Sequence, residues 1–308
     1  MTIHLVDPKR IKGCAKRKQR VKILWETVEM WKKKKSTMRA LATANLGRWS
    51  QAPQQHVQPK RMKVTVVEGD TLDVVRLCTK GYGTMFACIN MANSVHPGGG
   101  YTFGCAAQEE NIARRTQLHF RFTDSVVDAD DCYTREMQDL INGKHGEVYL
   151  STKPLICMRG RECFDHDDLG YRHLDDEEIF PFLELRAAAV DLRGKRRIDW
   201  SAVRAEMAER IDAQFKTLQK RGIKHIVLSA FGCGAFRNDP IMVAELYRDA
   251  LRRYQSNLSV VVFAIFYAGH GENNFKIFKE TLKDTQRAAA ASAVQAAARG
   301  GRADNGTA

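Results

Sequence analysis

The chain has 308 residues, a formal net charge of +13 and 44% apolar residues, which gives room for one large domain or two small ones and enough apolar side chain for a real core. No apolar run is long enough to span a bilayer and no secretory h-region follows Met1, so no membrane partner is expected. The eight cysteines, at 14, 78, 88, 105, 132, 157, 163 and 233, never form a C-x-x-C pair. That argues against a zinc ribbon or a disulfide framework and for reduced thiols in an intracellular setting, cytoplasmic or nuclear.

Residues 1–60 hold 15 Lys/Arg against Asp7, Glu26 and Glu29, a surplus of 12 that accounts for nearly all the excess charge. Such a basic arm suits contact with a polyanion; a solvated, partly helical extension is the plainer alternative. Runs such as Lys16-Arg17-Lys18 and Lys32–Lys35 also fit the loose pattern of a nuclear localisation signal. Val21, Ile23, Leu24, Trp25, Val28 and Trp31 are spaced as one face of a helix over 14–35, and two Trp residues predict that this face packs on the domain. Residues 41–60 read as a linker. A strand is expected at 62–68, a helix at 71–79 and a short buried strand at 85–91. A glycine loop follows, then a helix at 106–119.

Residues 124–146 read as polar and irregular. Strands are expected at 155–158 and 186–192, with an acidic surface loop at 165–178 between them; His166 and His173 there have no metal-ligand spacing. A long helix at 200–221 stops at Gly222. A buried strand at 225–230 leads into a second glycine loop and a helix at 240–254. The last strand is placed at 260–267 and the last helix at 274–287. The Ala-, Gly- and Ser-rich tail at 288–308 reads as disordered low complexity. Alternating strands and helices imply an α/β layered domain over 61–287 with a largely parallel or mixed sheet. Both glycine loops follow strands directly. Ligands of open α/β sheets bind outside the carboxyl ends of strands, so the two loops are expected to share one cleft.

The most informative stretch is Ile89–Asn111. Asn90-Met91-Ala92-Asn93 precedes Gly98-Gly99-Gly100, and seven residues later comes Gln108-Glu109-Glu110. Glycines let backbone N–H groups approach an anionic ligand, and carboxylates are the usual acid/base groups for glycosidic cleavage. This stretch resembles the GGG…QEE catalytic loop of the poly(ADP-ribose) glycohydrolases, in their microbial-type branch. Val67-Glu68-Gly69-Asp70-Thr71, Asn90–Asn93, Leu228–Pro240 and Val261–Ile265 resemble further elements of that family in the right order, so the match runs from about Arg61 to about Leu282.

The resemblance implies a macrodomain-like mixed sheet flanked by helices and a hydrolase that cleaves ribose–ribose O-glycosidic bonds to release ADP-ribose. The partners it implies are poly(ADP-ribose) and poly(ADP-ribosyl)ated proteins. It implies no metal, no cofactor and a monomer. It makes Glu110 the general acid/base, Glu109 a positioning group on ribose hydroxyls, and Gln108 a loop support. Gly98, Gly99 and Gly100 would take the diphosphate. Gly232, Cys233, Gly234, Ala235 and Phe236 would close from the other side, Phe236 stacking on adenine. Asp70 would accept from the adenine amino group, while Asn90 and Asn93 would bind ribose hydroxyls. Each also has a plain reading: Asp70 as a helix N-cap, Phe236 as a core residue, the glutamate pair as dipole complementarity at a helix start. Because that dipole favours the charged carboxylate while a general acid must carry a proton, Glu110 is expected to act once substrate is bound. Tyr101-Thr102-Phe103 departs from the family's usual aliphatic and Asn-containing segment, which bears on linkage preference. The alternative is a macrodomain that binds or removes mono-ADP-ribose; a pure reader has no need of paired carboxylates after the glycines.

Overall fold

The computed structural model describes residues 3–11, 14–52, 59, 61–123, 125–163, 168–267 and 272–285. The expected tail at 288–308, His166 and residues 53–58 lie outside them. Seven strands, β1 (Lys63–Glu68), β2 (Ala87–Met91), β3 (Tyr149–Leu150), β4 (Leu155–Cys157), β5 (Phe180–Ala187), β6 (His225–Leu228) and β7 (Val260–Ile265), form one sheet in the order β1-β7-β6-β2-β5-β3, with β4 also on β5. The pairs from β1 through β5 are parallel, and β3 and β4 run antiparallel to β5. The fold is therefore a mixed α/β sheet with helices on both faces.

Strand alternation sorts the core into two layers. Ile89, Ile226, Leu228, Val261, Phe263 and Ile265 face helices α5 (Trp200–Lys220), α6 (Pro240–Tyr254) and α7 (Asn274–Thr281). Cys88, Val227, Val260, Val262 and Ala264 face the other layer, α1 (Ala15–Gln51), α2 (Thr71–Tyr82), α3 (Gln108–Arg115) and α4 (Arg135–Ile141). Several helix starts are set by sequence. Asp70, Asp199 and Asp239 each accept two backbone N–H bonds at the N-termini of α2, α5 and α6, the preferred capping chemistry.

Three sequence expectations need correction. First, α1 continues to Gln51, so most of the described part of 41–60 is helix. α1 is no peripheral arm. Leu24, Val28 and Trp49 join the core, and the Asn45 amide donates to the Asp176 and Ile179 carbonyls at 2.7 and 2.8 Å. Ala, Thr, Asn and Gly in the second half of α1 hid its buried stripe. Second, the strand expected at 186–192 is β5, six residues earlier. Pro181 and the charged Glu184 and Arg186 break its apolar run, yet both charges are fully buried, paired with each other at 2.8 Å. Third, the segment 124–146 contains α4, capped by Thr134.

Candidate active site

The carboxyl ends of β1, β2, β6 and β7 open onto one cleft of about 210 Å³. Its walls include Asp70, Met91, Ala107, Gln108, Gly234 and Phe266. The end of the first glycine loop (Ala106, Ala107) and the second loop (Ser229, Ala230, Gly234) border it, while Gly98–Gly100 do not line it.

The first loop turns back on the helix that follows it. Gln108 ties α3 to β2, accepting from the Met91 N–H at 2.9 Å and donating to the Ile89 carbonyl at 2.7 Å. Glu109 is 3% exposed, and its two oxygens accept from the N–H groups of Asn93 (2.8 Å) and Gly98 (3.1 Å). Glu110 is 7% exposed; its Oε1 accepts from Gly100 N–H at 2.9 Å, while its buried Oε2 has no hydrogen-bond partner. The turn needs glycine at 99. Its φ is +59°, and a Cβ there would sit 2.6 Å from Glu110 Oε1 and 3.1 Å from Glu109 Oε2. Burial first, and the Glu110 carboxylate second, hold the Glu109 carboxyl well above the usual carboxylate range, against the Asn93 N–H and Arg186.

In this geometry the glycine N–H groups expected to take the diphosphate are already engaged. The N–H groups of Gly98, Gly99 and Gly100 bond to Glu109, the His96 carbonyl and Glu110 respectively. The concavity expected to cradle phosphate is filled by the protein's own carboxylates. Three other candidates are placed differently from expectation. Asn90 is fully buried and donates to Glu184 at 2.7 Å, because β2 turns it under the sheet rather than into the cleft. Asn93 shapes the turn, its side-chain oxygen accepting from the N–H groups of Val95 and His96 at 2.8 Å. Phe236 packs against the larger core and carries the Arg193 guanidinium 4.7 Å above its ring. Asp70 is both an N-cap and a cleft residue: Oδ1 accepts from Leu72 and Asp73 N–H and from Arg115 Nη1 at 2.5 Å. Burial opposes the Arg115 charge, but Asp70 and Asp73 outweigh it and Arg115 stays charged.

In the second loop Gly232 holds φ +76° against Ala189 and Asn238, and Asn238 pins it by donating to the Val190 and Gly232 carbonyls. Cys233 is raised far above an ordinary thiol by burial, so it is inert. Gly234 and Ala235 are exposed. Among the described residues no three His, Cys, Asp or Glu side chains converge as metal ligands.

Two features lay beyond the sequence reading. Phe266, 44% exposed just past the end of β7, lines the cleft; applying the strand-end rule to β7 as well would have found it. Behind the first glycine loop, Arg20 of α1 bonds Glu162 through Nε (2.9 Å) and Nη2 (2.6 Å), Tyr171 bridges Glu162 and Arg114, and Arg114 donates to the Cys105 carbonyl at 2.8 Å. No local pattern signals a network that spans 142 residues.

Paired buried carboxyls beside a glycine turn are the equipment of a glycoside-cleaving hydrolase, and the proteins this chain resembles are of that class. Residues 5–151, which include α1, match the family model described as microbial-type PARG, catalytic domain. The fold of the chain is that of poly(ADP-ribose) glycohydrolase from Thermomonospora curvata (TM-score 0.62, 22% identity, 85% of this chain and 98% of that one). It also resembles the Deinococcus radiodurans glycohydrolase solved in complex with ADP-ribose (TM-score 0.57, 23% identity, 81% and 92%). No curated protein matches the chain in sequence.

Proposed function

We propose that the chain hydrolyses the ribose–ribose O-glycosidic bonds of poly(ADP-ribose) and releases ADP-ribose, with Glu110 as general acid/base. The observation that carries this reading is the buried, unpartnered Oε2 of Glu110. Of the four oxygens of the pair it alone lacks an N–H donor, so it is the position from which a proton can be handed to a substrate. In this reading the proton on Oε2 passes to the leaving ribose oxygen as the bond from that oxygen to the anomeric carbon breaks. Water then bonds to the anomeric carbon and returns a proton to Glu110. Glu109, fixed by two N–H groups, holds the turn in place.

The adenine is assigned to Phe266, with Asp70 at its amino edge. Because the glycine N–H groups are occupied, the diphosphate is assigned to the uncapped first turn of α3, which begins at the cleft residue Gln108, and to the N–H groups of Gly234–Phe236. Glu110→Gln keeps the shape of the side chain and removes its proton. It is expected to lower kcat for ADP-ribose release by about 10²–10⁴ while calorimetric affinity for ADP-ribose stays within threefold. Wild-type protein that binds ADP-ribose but releases none from the polymer would move the assignment to a mono-ADP-ribose reader.

A further inference from the structure

Between β5 and α5 the chain reads Arg193-Gly194-Lys195-Arg196-Arg197, four cations in five residues, all exposed. Among the described residues they make one ion pair, Arg193 with Asp191. Gly194, at φ +72° with open space around it, makes the tight turn, closed by Lys195 N–H on the Leu192 carbonyl at 3.3 Å.

This turn is stitched to the second cleft loop. Leu192 N–H donates to the Phe236 carbonyl at 3.1 Å, Asn238 donates to Val190, and the Arg193 guanidinium lies on the Phe236 ring. Asp191 holds the Nε and Nη2 edge of Arg193, which leaves its Nη1 without a protein acceptor among the described residues. The Leu192–Phe236 bond and the Arg193–Phe236 contact therefore place the turn beside the second loop. The acids facing the run are Asp191, spent on Arg193, and Asp199, whose Oδ1 caps α5.

None of residues 193–197 lines the cleft, so the run lies outside the site assigned to a single ADP-ribose. Lys195, Arg196 and Arg197 are exposed and make no ion pair among the described residues, which suits them to a phosphate backbone leaving that site. We propose that Lys195, Arg196 and Arg197 form a polymer track. They would bind the diphosphates of poly(ADP-ribose) units beyond the one being cleaved, giving preference for long chains. This rests on the glycohydrolase reading above.

The test compares wild type with Lys195→Gln/Arg196→Gln/Arg197→Gln on two substrates, an ADP-ribose dimer and long polymer, at 50 and 200 mM salt. The triple variant is expected to raise KM for long polymer at least tenfold at low salt, leaving kcat and the dimer KM within twofold. Removing three cations should reduce the log–log salt slope of polymer binding by about 2, at about 0.7 per phosphate contact on a single-stranded polyanion; that is about 16-fold less affinity loss between the two salts. A control variant, Lys32→Gln/Lys33→Gln/Lys35→Gln on α1, removes the same charge from the other basic stretch. Equal losses in both variants would mean that net charge and not a track is responsible. Equal effects on dimer and polymer, no effect on either, or lost duplex-DNA binding with unchanged polymer KM would each overturn the track. Wild type inactive on both substrates would overturn the glycohydrolase reading, and polymer binding by anisotropy, wild type against the loop variant, then decides the track alone.

Discussion

Replacing Gly99 with alanine separates the cost of folding from the cost of catalysis. At φ +59° an alanine adopts the left-handed region at a cost of about 1–2 kcal/mol, a loss of several degrees in Tm for a domain of this size. The new methyl carbon would lie 2.6 Å from Glu110 Oε1, against an ordinary contact of at least 3.4 Å. The oxygen is the end of a flexible side chain, so it moves and the backbone does not. That movement breaks the bond from Gly100 N–H and carries the carboxyl nearly 1 Å from its place. A displacement of about 1 Å costs on the order of 10²-fold in rate. The assay is kcat for ADP-ribose release, run beside Tm and calorimetric ADP-ribose binding. Expected are a folded protein, a modest fall in Tm, near-normal binding and a kcat down by about two orders of magnitude. A folded variant with kcat within threefold of wild type would refute the placement of Glu110 Oε1 at the catalytic centre.

Other outcomes follow from the same geometry. Arg20→Met strands the buried Glu162 carboxylate and is expected to cost about 3–5 kcal/mol in urea unfolding, with Arg20→Met/Glu162→Leu recovering a large part; a single variant within 1 kcal/mol of wild type would remove Arg20 from the network. Phe266→Ala is expected to weaken ADP-ribose about 5- to 100-fold, the cost of about 1–3 kcal/mol for one stacked base, and Phe236→Ala far less; the reverse order in calorimetry would restore Phe236 as the adenine platform. Burial, helped by Lys32, lowers His119 to about 4, below an unfolded value of about 6.5. The folded state therefore resists its protonation. The stability it contributes is full above about pH 6.5 and is lost as pH falls to about 4, on the order of 3 kcal/mol in all. His119→Phe should flatten that part of the urea-midpoint profile; an unchanged profile would assign the acid sensitivity elsewhere.

How much of this was legible in the sequence depends on whether a signal was local. The β2–glycine–α3 segment was, because Gly98–Gly100 and Glu109–Glu110 interact within a dozen residues. So were the helices that start at Asp70 and Asp239, since an N-cap acts on its own next turn. The strand β5 was not, because its charges Glu184 and Arg186 are neutralised by each other and by three aromatic rings around Arg186, Phe122, Tyr133 and Tyr149, none of them near in sequence. Asn90 misled for a related reason: its position in the motif is right for the cleft, but strand parity turns it toward Glu184. The occupied glycine N–H groups follow from the folded geometry of α3, which the order of residues does not determine.

The docking of α1 has a consequence for synthesis. Its Arg20 waits for Glu162, its Thr27 for the Arg114 carbonyl and its Asn45 for Ile179. A ribosome delivers α1 more than a hundred residues before the last of those partners. Until then a nascent helix carries Trp31, Met38 and Ala42 without their partners Ile156, Met158 and Ile179. An element translated before its partners is thus among the last to be fixed, and closing so long a loop is the slow kind of contact to form. A chain stalled before Ile179 would expose that stripe to chaperones, and the glycine turn, seated at Gly104 against the Arg17 backbone, would be completed only when α1 is finally put in place.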